Sequence, residues 1–172
     1  ILPMQRELPA EIEVAVCFGE PIAPKKVVRE LFREKYGAVV SPSLLPTGGS
    51  VLEPSELLRL PLIHDRHGRW QRWLSNNGLE QREARTNLYV QDSYLGICAA
   101  RDGCGVFLAD RVEVSTDLRN GSLVALGGQT VEAQHSHYLG TGQPGVMSAR
   151  AQIFTEYLGR ALSTEVTEEV VA

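Results

Sequence analysis

The stretch YVQDSYLGICAARDGCGVFLA, residues 89 to 109, constrains the fold more than any other part of the chain. It reads as a strand, a sharp turn, a short helix, a glycine-flanked return and a second strand. A chain that passes from strand to helix to strand needs a sheet with helices laid against it. The same alternation runs along the whole sequence, so the fold class is α/β, with sheets covered by helices. A length of 172 residues suffices for one compact domain or for two small lobes.

EIEVAVCF (residues 11–18) alternates and then turns apolar, which predicts a buried strand ending at Gly19. VVRELFREKYGAVVS mixes polar and apolar residues before a second strand, YGAVVS, and Pro42 stops that strand because it has no N–H to continue a ladder. PSELLRL is a short helix capped by Ser55 or Pro54, and PLIH is a short apolar strand. In RWQRWLSNNG, Trp70, Trp73 and Leu74 share a helical face and Asn77-Gly78 makes a C-cap. EQREART is a polar loop, ADRVEVSTDLRNG a weak helix running into a turn, and SLVAL and VEAQHSHYLG are strands around a Gly-Gly turn. Residues 148–162 form the clearest helix, with Ser148 as N-cap and an apolar stripe of Ile153, Phe154, Tyr157, Leu158, Ala161 and Leu162. The acidic tail STEVTEEVVA is expected to fray.

Composition removes several classes of function. No apolar run approaches the ~18 residues of a membrane span, and no secretory h-region opens the chain. The net charge of −4 comes with no basic stripe, so these residues lack the electrostatic footprint of a nucleic-acid binder. Cys17, Cys98 and Cys104 form no CxxC pair; an odd count without a framework fits a reducing compartment and reads as small buried hydrophobes. The first residue is Ile1 rather than Met, and the chain is expected to be a piece of something longer.

The opening stretch offers three chemistries, and two fail. A phosphate loop needs glycines before the helix, whereas Gly103 and Gly105 follow it, as a C-cap and a tight return. A nucleophile elbow needs G-x-S-x-G, and QDSYLG has no glycine ahead of Ser93. What remains is an N-cap, with Asp92 or Ser93 taking the amides of the first turn. His64 and His67 are three apart and His135 and His137 two apart, and four imidazoles could hold zinc, yet no Cys or carboxylate is spaced with them. No metal and no cofactor is therefore expected. His67 reads as a solvated loop residue and His137 as a pocket-lining hydrogen-bonding group. Trp70 and Trp73 read as packing rather than a stacking platform, and no paired carboxylates offer acid and base roles, so an enzyme, hydrolases included, is not expected.

With those pieces placed, the order of motifs resembles the effector-binding domain of LysR-type transcriptional regulators. Four stretches carry the likeness: EIEVAVCFGEP; YGAVVSPSLLP with LEPSELLRLPLIHD; YVQDSYLGICAARDGCGVFLADRVEVSTDLRNGSLVAL; and YLGTG with MSARAQIFTEYLGRAL. They span residues 10 to 162 in order. The resemblance implies two Rossmann-like lobes, as in type 2 periplasmic solute-binding proteins, with lobe one incomplete: residues 1–62 and 146–172 as partial lobe one, 63–145 as lobe two. It implies a small-molecule effector in the cleft, self-association to a dimer or tetramer, a cytoplasmic location, no membrane contact, and DNA binding only through an N-terminal winged helix absent from this chain. The first strand-helix-strand of lobe one is missing as well, so the piece is expected to be poorly stable alone.

Carried over residue by residue, the resemblance assigns effector binding to Phe18 and Gly19 at the end of a lobe-one strand. It adds His64 near the hinge, Asp92, Ser93 and Tyr94 at a helix N-terminus, and His137 on the return strand. A solute-binding protein of a transport system, which shares the architecture, is the alternative.

Overall fold

A computed structural model of the chain describes residues 11–19, 21, 26–45, 52–79, 86–128, 130–142 and 147–167, with side chains as far as residue 162. By its internal contacts the chain divides into two compact units, residues 35–132 and residues 1–34 with 133–172. The crossings thus fall at 34/35 and 132/133, earlier than the boundaries at 62/63 and 145/146 that the resemblance implies. The reason is sheet membership: YGAVV pairs with the strand of the opening motif and belongs with it.

In the unit of residues 35–132 a mixed sheet runs in the order β5 (Asn87–Tyr89), β4 (Leu62–His64), β6 (Val106–Asp110), β3 (Lys35–Val40), β7 (Val124–Ala125), and β8 (Val131–Glu132) also pairs with β3. Strands β5, β4 and β6 are parallel; β3 is antiparallel to β6. All five residues of β6 are buried, as a central strand covered on both faces requires. Alternation divides them. Phe107 and Ala109 join Val39, Ile63, Ile97, Ala100, Val114 and Leu123 in one core with α3 (Ser93–Arg101) and α4 (Arg111–Asn120). The opposite face, with Ala38 across from Leu108 and Tyr36 across from Asp110, carries α2 (Arg69–Asn76), as the seat of Arg69 over the Tyr36 ring shows.

Local chemistry sets the helix ends. Asp92 accepts a hydrogen bond from Leu95 N at 3.0 Å and so caps α3. Asp110 does the same for α4 through Val112 N at 2.8 Å. Beyond α3, Gly105 has φ +156° and a Cβ there would collide with the Pro61 carbonyl, so the tight return depends on glycine. Trp70 and Trp73 are buried, as their spacing predicts. The short helix α1 (Pro54–Leu57) is capped by Glu53 in a reciprocal capping box with Glu56, not by Ser55 or Pro54. Of the polar loop EQREART, residues 80–85 lie outside the described residues, as do 46–51.

The second unit holds a three-stranded antiparallel sheet, β1 (Val14–Phe18), β9 (His137–Thr141) and β2 (Val27–Phe32), with α5 (Ala149–Thr167). β2 comes from the mixed segment that sequence alone left unassigned. VEAQHSHYLG is two strands, β8 and β9, interrupted at residues 133–136. Ser148 caps α5 as expected, donating nothing to the helix but accepting from Ala151 N at 3.3 Å. The stripe on α5 is turned differently from the expectation: Ile153, Phe154 and Tyr157 are exposed, and the covered face runs through Ala151, Thr155, Leu158 and Leu162. The cysteines are also less buried than expected, Cys104 being exposed and Cys17 and Cys98 half-buried.

Candidate functional site

Parallel strands gather their carboxyl ends at one edge, and each of β4, β5 and β6 there feeds the N-terminus of a helix. In open α/β sheets this is the edge at which ligands bind. The chain places His64 at the end of β4, Tyr89 at the end of β5 and Asp110 at the end of β6. His64 lies stacked on Tyr89, ring centroids 4.9 Å apart, and its Nε2 is 2.7 Å from Asn87 Oδ1. The parallel register puts His64 beside Tyr89, and Val90 N donates to the His64 carbonyl at 2.8 Å. One step further, Asp92, Ser93 and Tyr94 open α3, so four of the expected effector residues share this edge.

Tyr94 and its neighbour at this edge, Tyr89, are 70% and 74% exposed. Asp92 spends its carboxylate on its own helix through Leu95 N. The geometry of a first turn leaves the Ser93 and Tyr94 N–H groups without intrahelical acceptors, and the helix dipole favours negative charge there.

The floor of the edge is fixed by buried charge. Arg69 lies 3.3 Å from Asp65, donates to the Leu108 carbonyl at 3.2 Å and stacks 3.8 Å above the Tyr36 ring. Asp65 accepts from His67 N at 3.0 Å, which closes the turn after His64. Asp110 accepts from Lys35 N at 2.7 Å, tying the start of β3 to the same edge. His67 itself is exposed.

The remaining three expected residues come together in the other unit. Register sets Phe18 of β1 and Phe32 of β2 on either side of His137 of β9. The His137 ring stacks on Phe32 at 4.7 Å and tilts against Phe18 at 5.2 Å. Its Nε2 is 2.8 Å from Glu34 Oε1. Gly19 follows, donating from its N–H to the Ser136 carbonyl at 2.9 Å with φ +85°, a turn that disfavours a side chain. Among the described residues no cluster of three or more His, Cys, Asp or Glu is placed to hold a metal ion.

Sequence reasoning missed Asn87, Tyr89, Arg69, Phe32 and Glu34. The first two stand out only through the parallel register with β4, and the last two only through a strand whose sequence did not announce it. Arg69 and Asp65, four apart, were a legible pair; their burial was not.

A model of the family described as the LysR substrate binding domain matches residues 4–163. The glycine cleavage system transcriptional activator of Escherichia coli K12 is 28% identical over 134 residues, 77% of this chain and 44% of that protein. The HTH-type transcriptional regulator TrpI of Pseudomonas aeruginosa is 34% identical over 118 residues, 66% of this chain and 40% of its own. The chain thus spans less than half the length of these curated relatives. Among solved structures, the effector domain of AmpR of Pseudomonas aeruginosa superposes with a TM-score of 0.68 at 22% identity, covering 94% of this chain and 77% of that one. The regulatory domain of CrgA of Neisseria meningitidis gives 0.58 at 17% identity, over 88% and 76%. These two share the fold with this chain. All of these relatives are regulators rather than transport proteins, which sets the solute-binding alternative aside.

Proposed function

Because this chain belongs to the LysR substrate binding domain family, we propose that it binds a small metabolite and passes the event on to a DNA-binding segment elsewhere in its regulator. The observation that carries the reading is the edge at His64, Tyr89 and the start of α3. Five ring or polar side chains stand there, His64, Tyr89, Asp92, Ser93 and Tyr94, with the two tyrosines largely exposed and a buried Asp65–Arg69 pair following His64 in the chain. Exposed rings beside free helix N-terminal amides offer a small molecule both apolar and polar contacts.

The effector residues in this reading are His64, Asp92, Ser93 and Tyr94 from one unit and Phe18, Gly19 and His137 from the other. Asp92 acts as the cap that shapes the first turn, and Ser93 and Tyr94 meet the ligand. The change that follows is a ligand binding one arrangement of the domain better than another, which shifts how subunits associate. Self-association to a dimer or tetramer and a cytoplasmic location belong to the same proposal. Among the described residues no helix is long and apolar enough to cross a membrane.

A thermal-shift screen of the intact protein against amino acids, aromatic acids and cell-wall fragments tests it, since a binder raises the midpoint by mass action. At least one compound is expected to do so, with the effect reduced in both Ser93→Ala and His137→Ala. Undiminished binding by both variants would remove the site as drawn.

A further inference from the structure

At one end of the β1–β9–β2 sheet, Phe18, His137 and Phe32 stand side by side across three strands. His135 adds a fourth ring, edge-on to Phe18 at 5.8 Å. Glu34 brings a carboxylate to within 2.8 Å of His137 Nε2. The row is not closed over, because Phe18 remains 44% exposed.

Ring faces carry the negative side of an aromatic quadrupole and a carboxylate carries a full negative charge, so together they attract an organic cation. The Glu34 carboxylate disfavours an anion there. One neighbouring cation, Arg33, is drawn aside: its Nε donates to Ser136 Oγ at 3.0 Å, and that hydroxyl donates on to Glu30 at 2.5 Å. Asp92, the carboxylate beside the other expected effector residues, already caps its own helix. Glu34 stands among the rings, its Oε1 held 2.8 Å from His137 Nε2.

Resting on the reading that the chain binds a small effector, we propose that Phe18, Phe32, His135, His137 and Glu34 take the cationic, amine-bearing end of that effector. Ring packing alone is the competing explanation, and charge separates the two.

The test is an NMR titration of the isotope-labelled 172-residue chain with choline and, separately, with 3,3-dimethyl-1-butanol, which has the same shape and no charge. Choline is expected to move the ring signals of Phe18, Phe32 and His137 saturably, at a concentration about tenfold lower than the alcohol. Glu34→Gln and Phe18→Leu should each weaken the choline response by a similar factor, the second keeping the apolar bulk. Equal responses to both compounds, no ring response to choline, or an unchanged response in both variants would overturn the assignment. The metabolite screen separates this from the effector reading. An amine-free metabolite that stabilises the chain and moves the same rings would sink the cation assignment and leave the effector reading standing. Choline responding as expected while no metabolite stabilises the chain would do the reverse.

Discussion

Arg69 shows how a single residue can set the precision of a surface it never reaches. Its guanidinium is buried between Asp65, the Leu108 carbonyl and the Tyr36 ring, and burying charge costs several kcal/mol unless both partners are present. Arg69→Met should therefore destabilise by about 3 kcal/mol, because Asp65 is left as an uncompensated buried charge. The double variant Arg69→Met with Asp65→Asn should recover a large part of that loss, and urea midpoints of the parent, the two single variants and the double variant would show it. Asp117 makes a different prediction. Arg101 donates to both its oxygens, at 2.6 and 2.7 Å, and the pair holds the Asp117 carboxyl below the usual aspartate range despite burial. The stabilisation this provides is complete above about pH 4, the ordinary aspartate value, and is lost as pH falls through the lower folded value. Asp117→Asn should cost about 2 kcal/mol at neutral pH, and its stability should fall less steeply in acid than that of the parent. Equal acid slopes for the two proteins would contradict the assignment.

Helix α5 and strand β2 carry the argument at the scale of elements. The sequence of α5 announces an apolar stripe through Ile153, Phe154 and Tyr157, and the fold covers the adjacent face instead. Leu158→Ala should thus cost about 1–2 kcal/mol, while Tyr157→Ser should stay within about 0.5 kcal/mol of the parent. The uncovered stripe supports the proposal of self-association: Ile153→Glu with Tyr157→Glu should reduce the sedimentation coefficient of any oligomer, whereas an unchanged value would place the contact elsewhere.

Strand β2 shows why some of the fold was not legible. VVRELF mixes apolar residues with an Arg-Glu pair and shows no clean alternation, and its ladder with β9 makes it a strand. Strand identity of this kind is imposed by a partner more than a hundred residues away, not by local propensity. The opposite holds for YVQDSYLGICAARDGCGVFLA, where alternation, the Asp92 cap and the returning glycines are all local signals, and the structure follows each of them. The candidate site divides the same way. Asp92, Ser93 and Tyr94 could be placed from their own neighbours. Asn87, Phe32 and Glu34 needed the register of strands to bring them beside His64 and His137.

For the molecule as a whole, the account joins two units, one built on parallel strands ending at His64 and Tyr89, the other on a row of rings around His137. Family membership gives the reason to propose that a small ligand meets these residues. The likeness in fold to the AmpR effector domain covers 77% of that chain. The most direct test is amide hydrogen exchange with and without a compound found to raise the thermal midpoint. Added protection is predicted at two places at once: the first turn of α3 around Ser93 and Tyr94, and the strand ends at Phe18, Gly19 and His137. Protection absent from both places would contradict the proposed effector residues.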